Sequence, residues 1–217
     1  MNVVVKLGGS LINSAPDIVN KLLEYSETSK DRDTILIVPG GGIFADLIRT
    51  AGKQYNIGEV ASHWMAILAM EQYGYYLIDK TGAKGVGSID DLQPGISILL
   101  PYRLLKKTDE LEHSWDVTSD TIAAWMASMI NARLVKVTDV DGVLVDNELV
   151  QEMGATDLLS MGTTCVDIGL PDFIRANNMD CVVVNGHYPE RVIAAVEGEN
   201  VIGTYIKAGC PKAPLNL

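Results

Sequence analysis

The sequence is short of cysteine and of positive charge. Cys165, Cys181 and Cys210 are widely separated and odd in number, which argues against a disulfide framework, and their spacing is not that of a metal-binding set. Cys165 and Cys181 read as small buried hydrophobes, and this usage fits a reducing cytoplasm. Lys and Arg total 17 against 28 Asp and Glu, a formal net charge of -11. Nothing offsets repulsion from a polyphosphate, which argues against nonspecific nucleic-acid binding and makes any phosphate site a local exception. No apolar run is long enough to cross a bilayer, since the richest, Trp64 to Ile78, is broken by Glu71, Gln72 and Gly74. No signal peptide is expected, because the first residues run straight into a glycine loop. Without an internal repeat, low-complexity tract or dividing linker, residues 1–217 are expected to form a single cytoplasmic domain with no membrane partner.

What is present starts at the first residue. Met1 to Val5 read as a buried strand, followed at once by Lys6, Leu7, Gly8, Gly9 and Ser10. Glycines lack Cβ, so backbone N–H groups can approach an anion closely, and the next helix adds its positive end. Lys6 would put a compact charge beside phosphate oxygens. The alternative is a tight strand-to-helix turn with its lysine reaching solvent. A helix capped by Ser14 and carrying Pro16 in its first turn is expected to run to about Ser26. Thr34 to Val38 repeats the arrangement, ending in Pro39, Gly40, Gly41 and Gly42 before a helix with Phe44, Leu47 and Ile48 inward. Two strands ending in glycine loops imply a parallel α/β sheet with its crevice at the strand C-terminal ends.

A long helix is expected from Gly58 to Asp79, its aromatic and Met stripe (Trp64, Met65, Met70, Tyr73, Tyr75, Tyr76) serving as core or subunit interface. Lys80 to Asp91 reads as irregular, and Ile96 to Leu100 as a strand. Pro101 to Lys107 is the most basic short stretch, either a solvated turn or an anion-facing segment in which Arg103 could grip a phosphate. In His113-Ser-Trp-Asp-Val-Thr-Ser-Asp120, Ser119 or Asp120 can cap the helix that follows. The remaining carboxylate, hydroxyl and imidazole groups, with Asp116, Thr118 and His113 among them, look like an acceptor site, and Trp115 or His113 could pack on a ring. Leu134 to Thr138 is a strand ending in Asp139, Val140, Asp141, Gly142 and Val143, a loop that is either turn chemistry or a seat for a ribose hydroxyl or metal-bound water. Helices at Ala155–Met161, Pro171–Ala176 and Pro189–Val196 alternate with strands at Cys181–Val184 and Val201–Ile206, and the tail beyond Gly209 is expected to fray.

These segments, in this order and at about this spacing, resemble the amino acid kinase family. The resemblance rests on Lys6–Ser10, Gly40–Gly42, Asp116–Asp120 and Thr138–Val143, and it covers nearly the whole chain. The glycine-lysine loop is not a Walker A sequence, which places its lysine after the last glycine. The resemblance implies a three-layer αβα sandwich around a mainly parallel sheet, with ATP and Mg2+ as cofactors and a small-molecule acceptor. It implies that Lys6 stabilises the transferring phosphoryl and Asp120 orients that lysine. Gly8, Gly9 and Ser10 would cradle ATP phosphates, Thr138, Asp139 and Gly142 would form the nucleotide loop, and Gly40, Gly41 and Gly42 would face the acceptor. A homo-oligomer, a dimer or an assembly of dimers, is also implied. Several members carry a second catalytic lysine in a late glycine-rich segment, whereas Ser160 to Asp167 here contains none. That departure weakens acylphosphate chemistry and favours an acceptor that is itself a phosphate monoester. The His113–Asp120 segment is similar to that of the branch phosphorylating aminomethylfuran-methyl phosphate for methanofuran. Uridylate kinase chemistry and a non-catalytic nucleotide-binding role, as in molybdenum storage proteins, are the alternatives.

Overall fold

The computed structural model describes residues 1–29, 33–162 and 164–209. Most of the predicted charged turn at Lys30–Asp33, Thr163 of the late loop, and the tail with Cys210 lie outside them. In chain order the strands are β1 (Asn2–Leu7), β2 (Thr34–Pro39), β3 (Lys84–Val86), β4 (Gly95–Leu99), β5 (Arg133–Thr138), β6 (Leu144–Val145), β7 (Glu148–Leu149), β8 (Glu152–Gly154), β9 (Cys181–Asn185) and β10 (Gly203–Lys207). The helices are α1 (Ala15–Thr28), α2 (Gly42–Tyr55), α3 (Glu59–Thr81), α4 (Pro101–Thr108), α5 (Ser119–Met129), α6 (Ala155–Met161), α7 (Gly169–Ala176) and α8 (Pro189–Glu197).

Eight strands form one sheet in the order β3, β4, β2, β1, β5, β9, β10, β8. Every neighbouring pair is parallel except β9 and β10. β6 and β7 make a separate hairpin. The central strands are buried on both faces, which is why they read as continuous Val, Ile and Leu runs. Side chains alternate between two cores. Val3, Val5, Ile35, Ile37, Val135 and Val137 face one core with α1 and α8, while Val4, Leu36, Leu134 and Val183 face the other with α5 and α7. Helix layers on both faces of a mainly parallel sheet make this the expected three-layer αβα sandwich. Each fully buried Val or Leu contributes about 1.5–3 kcal/mol, so β1 and β5 hold their register firmly.

α3 belongs to both cores, through Ile67 and Met70 on one side and Tyr73 and Leu77 on the other. The stripe read from the sequence is therefore largely core, with Tyr75 exposed. Three expectations are corrected. Leu47 does not face inward: α2 lies on α3 through Ala45, leaving Ile43 and Leu47 exposed. Lys80–Asp91 is not wholly irregular, because Lys84–Val86 adds the short edge strand β3. Pro101–Lys107 is the helix α4, which buries Pro101, Leu104 and Leu105.

Candidate active site

Strand alternation places the central charges. On β1, Val3, Val5 and Leu7 face the α1–α8 core, so Lys6 projects toward α5; on β5, Val135 and Val137 do the same, so Lys136 also projects toward α5. The two lysines are register partners. Both meet Asp120 in the first turn of α5. Lys6 Nζ lies 2.8 Å from Asp120 Oδ1, and Lys136 Nζ lies 2.6 Å from each carboxylate oxygen. Lys6, Lys136 and Asp120 are 7%, 3% and 5% exposed. Charges this deep persist only when paired and hydrogen-bonded.

The start of α5 is not capped as the sequence suggested. Ser119 and Asp120 lie inside the helix, and the N-cap residue Thr118 does not cap with its own side chain. Asp167 supplies the acceptors from the late loop. Its Oδ2 accepts from Thr118 N (2.9 Å), Thr118 Oγ1 (2.8 Å) and Thr121 N (3.1 Å), and its Oδ1 from Thr121 Oγ1 and Leu170 N (both 2.8 Å). The Asp167 N–H donates in turn to Asp120 Oδ2 at 3.0 Å. The lysine-free late segment thus holds the helix start and Asp120 together.

Burial alone would raise the Asp120 carboxyl, but the ammonium groups of Lys136 and Lys6 outweigh it and hold the carboxyl well below the usual range. Burial lowers Lys6, with Asp120 opposing and the neighbouring Lys136 charge adding to the fall. For Lys136 burial also acts downward, but the bidentate contact with Asp120 prevails and the net shift is upward. The two lysines share one carboxylate, and the one gripping both oxygens holds its proton more firmly.

This trio lies on the wall of a cavity of about 510 Å³. The two glycine loops close one side. Gly40 N donates to Leu7 O at 2.8 Å, and a Cβ at Gly9 would collide with the Gly42 backbone, so the loops touch as only glycines allow. Gly42 also has φ +52°, in the left-handed region. Of the predicted residues, Lys6, Gly8, Gly9, Ser10, Gly41, Gly42, Thr118, Asp120 and Thr138 line the cavity. Gly40 lies behind, against Gly9. Asp139 adjoins it: burial would raise its carboxyl, but its own N–H and the Ser10 and Thr138 hydroxyls keep it low. Gly142 packs instead on Thr204.

Arg103, His113 and Asp116 are not brought to the lining. Helical spacing in α4 buries Leu104 and Leu105 and turns Arg103 to solvent, while Lys106 Nζ lies 3.9 Å from the Trp64 ring centroid. His113 bonds Asp109 at 2.7 Å and stacks 4.2 Å from His63, which does line the cavity. Asp116 is exposed and contributes its carbonyl, accepting from Gly169 N at 2.9 Å. Sequence reasoning missed Lys136, Asp167 and His63. A lysine inside Leu-Val-Lys-Val was the available signal for the first. Burial and the nearby His113 push the His63 imidazole down to about 4.

The Amino acid kinase family profile matches residues 1–90 and 92–185. The chain is 35% identical over 212 residues to [5-(aminomethyl)furan-3-yl]methyl phosphate kinase of Methanocaldococcus jannaschii, covering 94% of this chain and 96% of that protein. It is 24% identical to isopentenyl phosphate kinase of the same organism, over 95% and 98% of the two chains. The crystal structure of uridylate kinase from Archaeoglobus fulgidus superposes with a TM-score of 0.72 at 20% identity, covering 95% of this chain and all of that one. With the order of its strands, its paired glycine loops and these relatives in agreement, the chain belongs to the amino acid kinase family and is a kinase.

Proposed function

We propose that this kinase transfers the γ-phosphoryl of ATP to an existing phosphate monoester, [5-(aminomethyl)furan-3-yl]methyl phosphate, giving the diphosphate. The observation that carries the acceptor class is the state of Asp120. Gripped by two ammonium groups, it is too weak a base to take a proton from a neutral hydroxyl. A phosphate monoester needs no such base, because its second proton leaves near pH 6; a carboxylate needs none either, and the similarity to kinases named for phosphate substrates favours the monoester. The 35% identity to a kinase named for this furan substrate supports the particular acceptor. So does the outer wall, where the Trp115 ring offers a flat face, Arg49 lies 4.7 Å from it, and Asp46 and Glu59 could meet an aminomethyl ammonium.

In the transfer, an acceptor phosphate oxygen attacks the γ-phosphorus in line. The new P–O bond forms as the bond to the β,γ-bridging oxygen breaks, and that electron pair leaves on ADP. Lys6 neutralises charge on the transferring oxygens, while Gly8, Gly9 and Ser10 hold ATP phosphates and Gly41 and Gly42 face the acceptor, with Gly40 packed behind them. Thr138 and Asp139 hold the nucleoside end, and Gly142 shapes their loop from its packing on Thr204. Among the described residues, no group of three or more His, Cys, Asp or Glu side chains is placed to hold a metal ion. Magnesium would arrive on the triphosphate, and Asp139, beside the cavity, is the carboxylate that would receive it through a water. Bound there, magnesium supplies neutralisation of phosphate charge. Among the described residues no helix is long and apolar enough to cross a membrane. We read the enzyme as cytoplasmic, and exposed apolar side chains on α2 and α3, including Leu47, Leu68 and Tyr75, support a homo-oligomer.

The test is ADP release with MgATP against the furan-methyl phosphate, UMP, isopentenyl phosphate, acetylglutamate and aspartate. Turnover greatest on the furan-methyl phosphate is expected. Preference for UMP would move the assignment to uridylate kinase, and preference for a carboxylate would overturn the acceptor class.

A further inference from the structure

We propose that Lys136 is a second catalytic lysine, with its ammonium bridging Asp120 and an oxygen of the phosphoryl group in transit. This rests on the phosphoryl-transfer reading above. Three observations on β5 and its neighbours carry it. Lys136 is the register partner of Lys6, so the two side chains leave adjacent strands on the same face, one strand spacing apart. It lines the same cavity as Lys6 and the glycine loops. It also adds a second cation to a carboxylate that Lys6 already neutralises.

The sharing of Asp120 decides what the second lysine does. One Lys with one Asp is a neutral pair that could be wholly structural. The neighbouring carboxylate, Asp167, is taken up by the Thr118, Thr121 and Leu170 donors, so among the described residues Asp120 alone serves both lysines at the cavity wall, almost out of reach of water. Two ammonium groups that share one carboxylate have donors left over for an incoming anion. Triphosphate and acceptor phosphate together bring that anion, and negative charge on the transferring oxygens is what those donors can stabilise. The late segment from Ser160 to Asp167 offers no lysine for the task, and gives Asp120 a backbone N–H instead. The second charge that the family resemblance places in that segment comes here from a strand of the sheet.

A structural role for Lys136, merely holding Asp120 for Lys6, predicts different behaviour from a role on the phosphoryl group. Lys136→Met removes the charge, and Lys136→Gln removes it while keeping a donor for Asp120, so that folding is preserved if Met proves too disruptive. With MgATP and the furan-methyl phosphate, either variant is expected to lose about 100-fold in kcat, with the KM for ATP held within about threefold. Binding of MgADP with tetrafluoroaluminate, which mimics the transferring group, should weaken by about 30-fold while binding of MgADP alone is unchanged. A folded Lys136→Gln enzyme with kcat near wild type would overturn the proposal, as would equal losses of MgADP and of MgADP–tetrafluoroaluminate binding. If the wild-type protein phosphorylates no acceptor, the kinase assignment of substrate fails separately, and the two affinities still decide the place of Lys136.

Discussion

Lys136 stands opposite Lys6 across the β1–β5 pair, and both ammonium groups end on one carboxylate, that of Asp120. The arrangement follows from two rules acting together. Parallel register places the lysines side by side, and strand alternation sends both toward α5. Asp120 then lies where two strands and a helix start converge.

Replacing Lys6 by alanine separates chemistry from folding. Asp120 keeps both contacts to Lys136 and the Asp167 N–H, so the buried carboxylate is not left alone. Circular dichroism and melting temperature are expected to stay near wild type, while kcat falls by about 100- to 1,000-fold. Unchanged turnover would refute the role given to Lys6.

Asp120→Asn should do the opposite to stability. Two buried ammonium groups would face each other without a counter-charge, at a cost of about 3–5 kcal/mol if both remain protonated. Because the Asp120 carboxyl is held low in the folded chain, its contribution is present above about pH 4 and is lost as pH falls through the folded value. Urea denaturation at pH 7 and at pH 3 checks both points: the variant is expected to be weaker at pH 7, with a smaller further loss at pH 3.

His63 gives a second pH dependence, in a different window. Its imidazole titrates near 4 in the folded chain and near 6.5 when unfolded. Between those values the unfolded chain binds a proton that the folded chain refuses, so stability falls as pH falls across the window. Melting temperature measured from pH 7 to 4.5 should decline, and His63→Gln should flatten the decline. Parallel curves for the two proteins would contradict the assignment.

Gly9→Ala tests the contact between the two glycine loops. The added methyl would collide with the Gly42 backbone, not with the end of a flexible side chain, so one loop must move. Loss of ATP affinity by about tenfold or more is expected, because backbone N–H groups aimed at phosphate tolerate little displacement. Isothermal titration with ATP reads the effect directly.

The larger features were legible in the sequence because they repeat a simple pattern. Apolar strands ending in Lys6–Ser10 and Pro39–Gly42 announced the parallel sheet and its crevice, and the sheet carries both loops to one end. Contributions from distant segments were not legible. Asp167 caps α5 from 46 to 49 residues away, a relation that no local spacing reveals. Lys136 was hidden for another reason: a single lysine in a Val and Leu strand reads as a minor interruption until register shows its neighbour. Arg103 was overvalued because a cluster of positive charge in an acidic chain draws attention, whereas burial of Leu104 and Leu105 decides where that helix turns its face. β3 escaped because three residues containing a glycine carry too little pattern to mark an edge strand.

The most direct measurement is phosphorus NMR of the reaction mixture, with MgATP and [5-(aminomethyl)furan-3-yl]methyl phosphate as the only other phosphate compound. A site built from Lys6, Lys136 and Asp120 for transfer to a phosphate monoester should generate ADP and a new pair of mutually coupled diphosphate signals in equal amounts, both absent with Lys6→Ala. ADP accompanied only by inorganic phosphate, or a diphosphate formed equally well by Lys6→Ala, would contradict it.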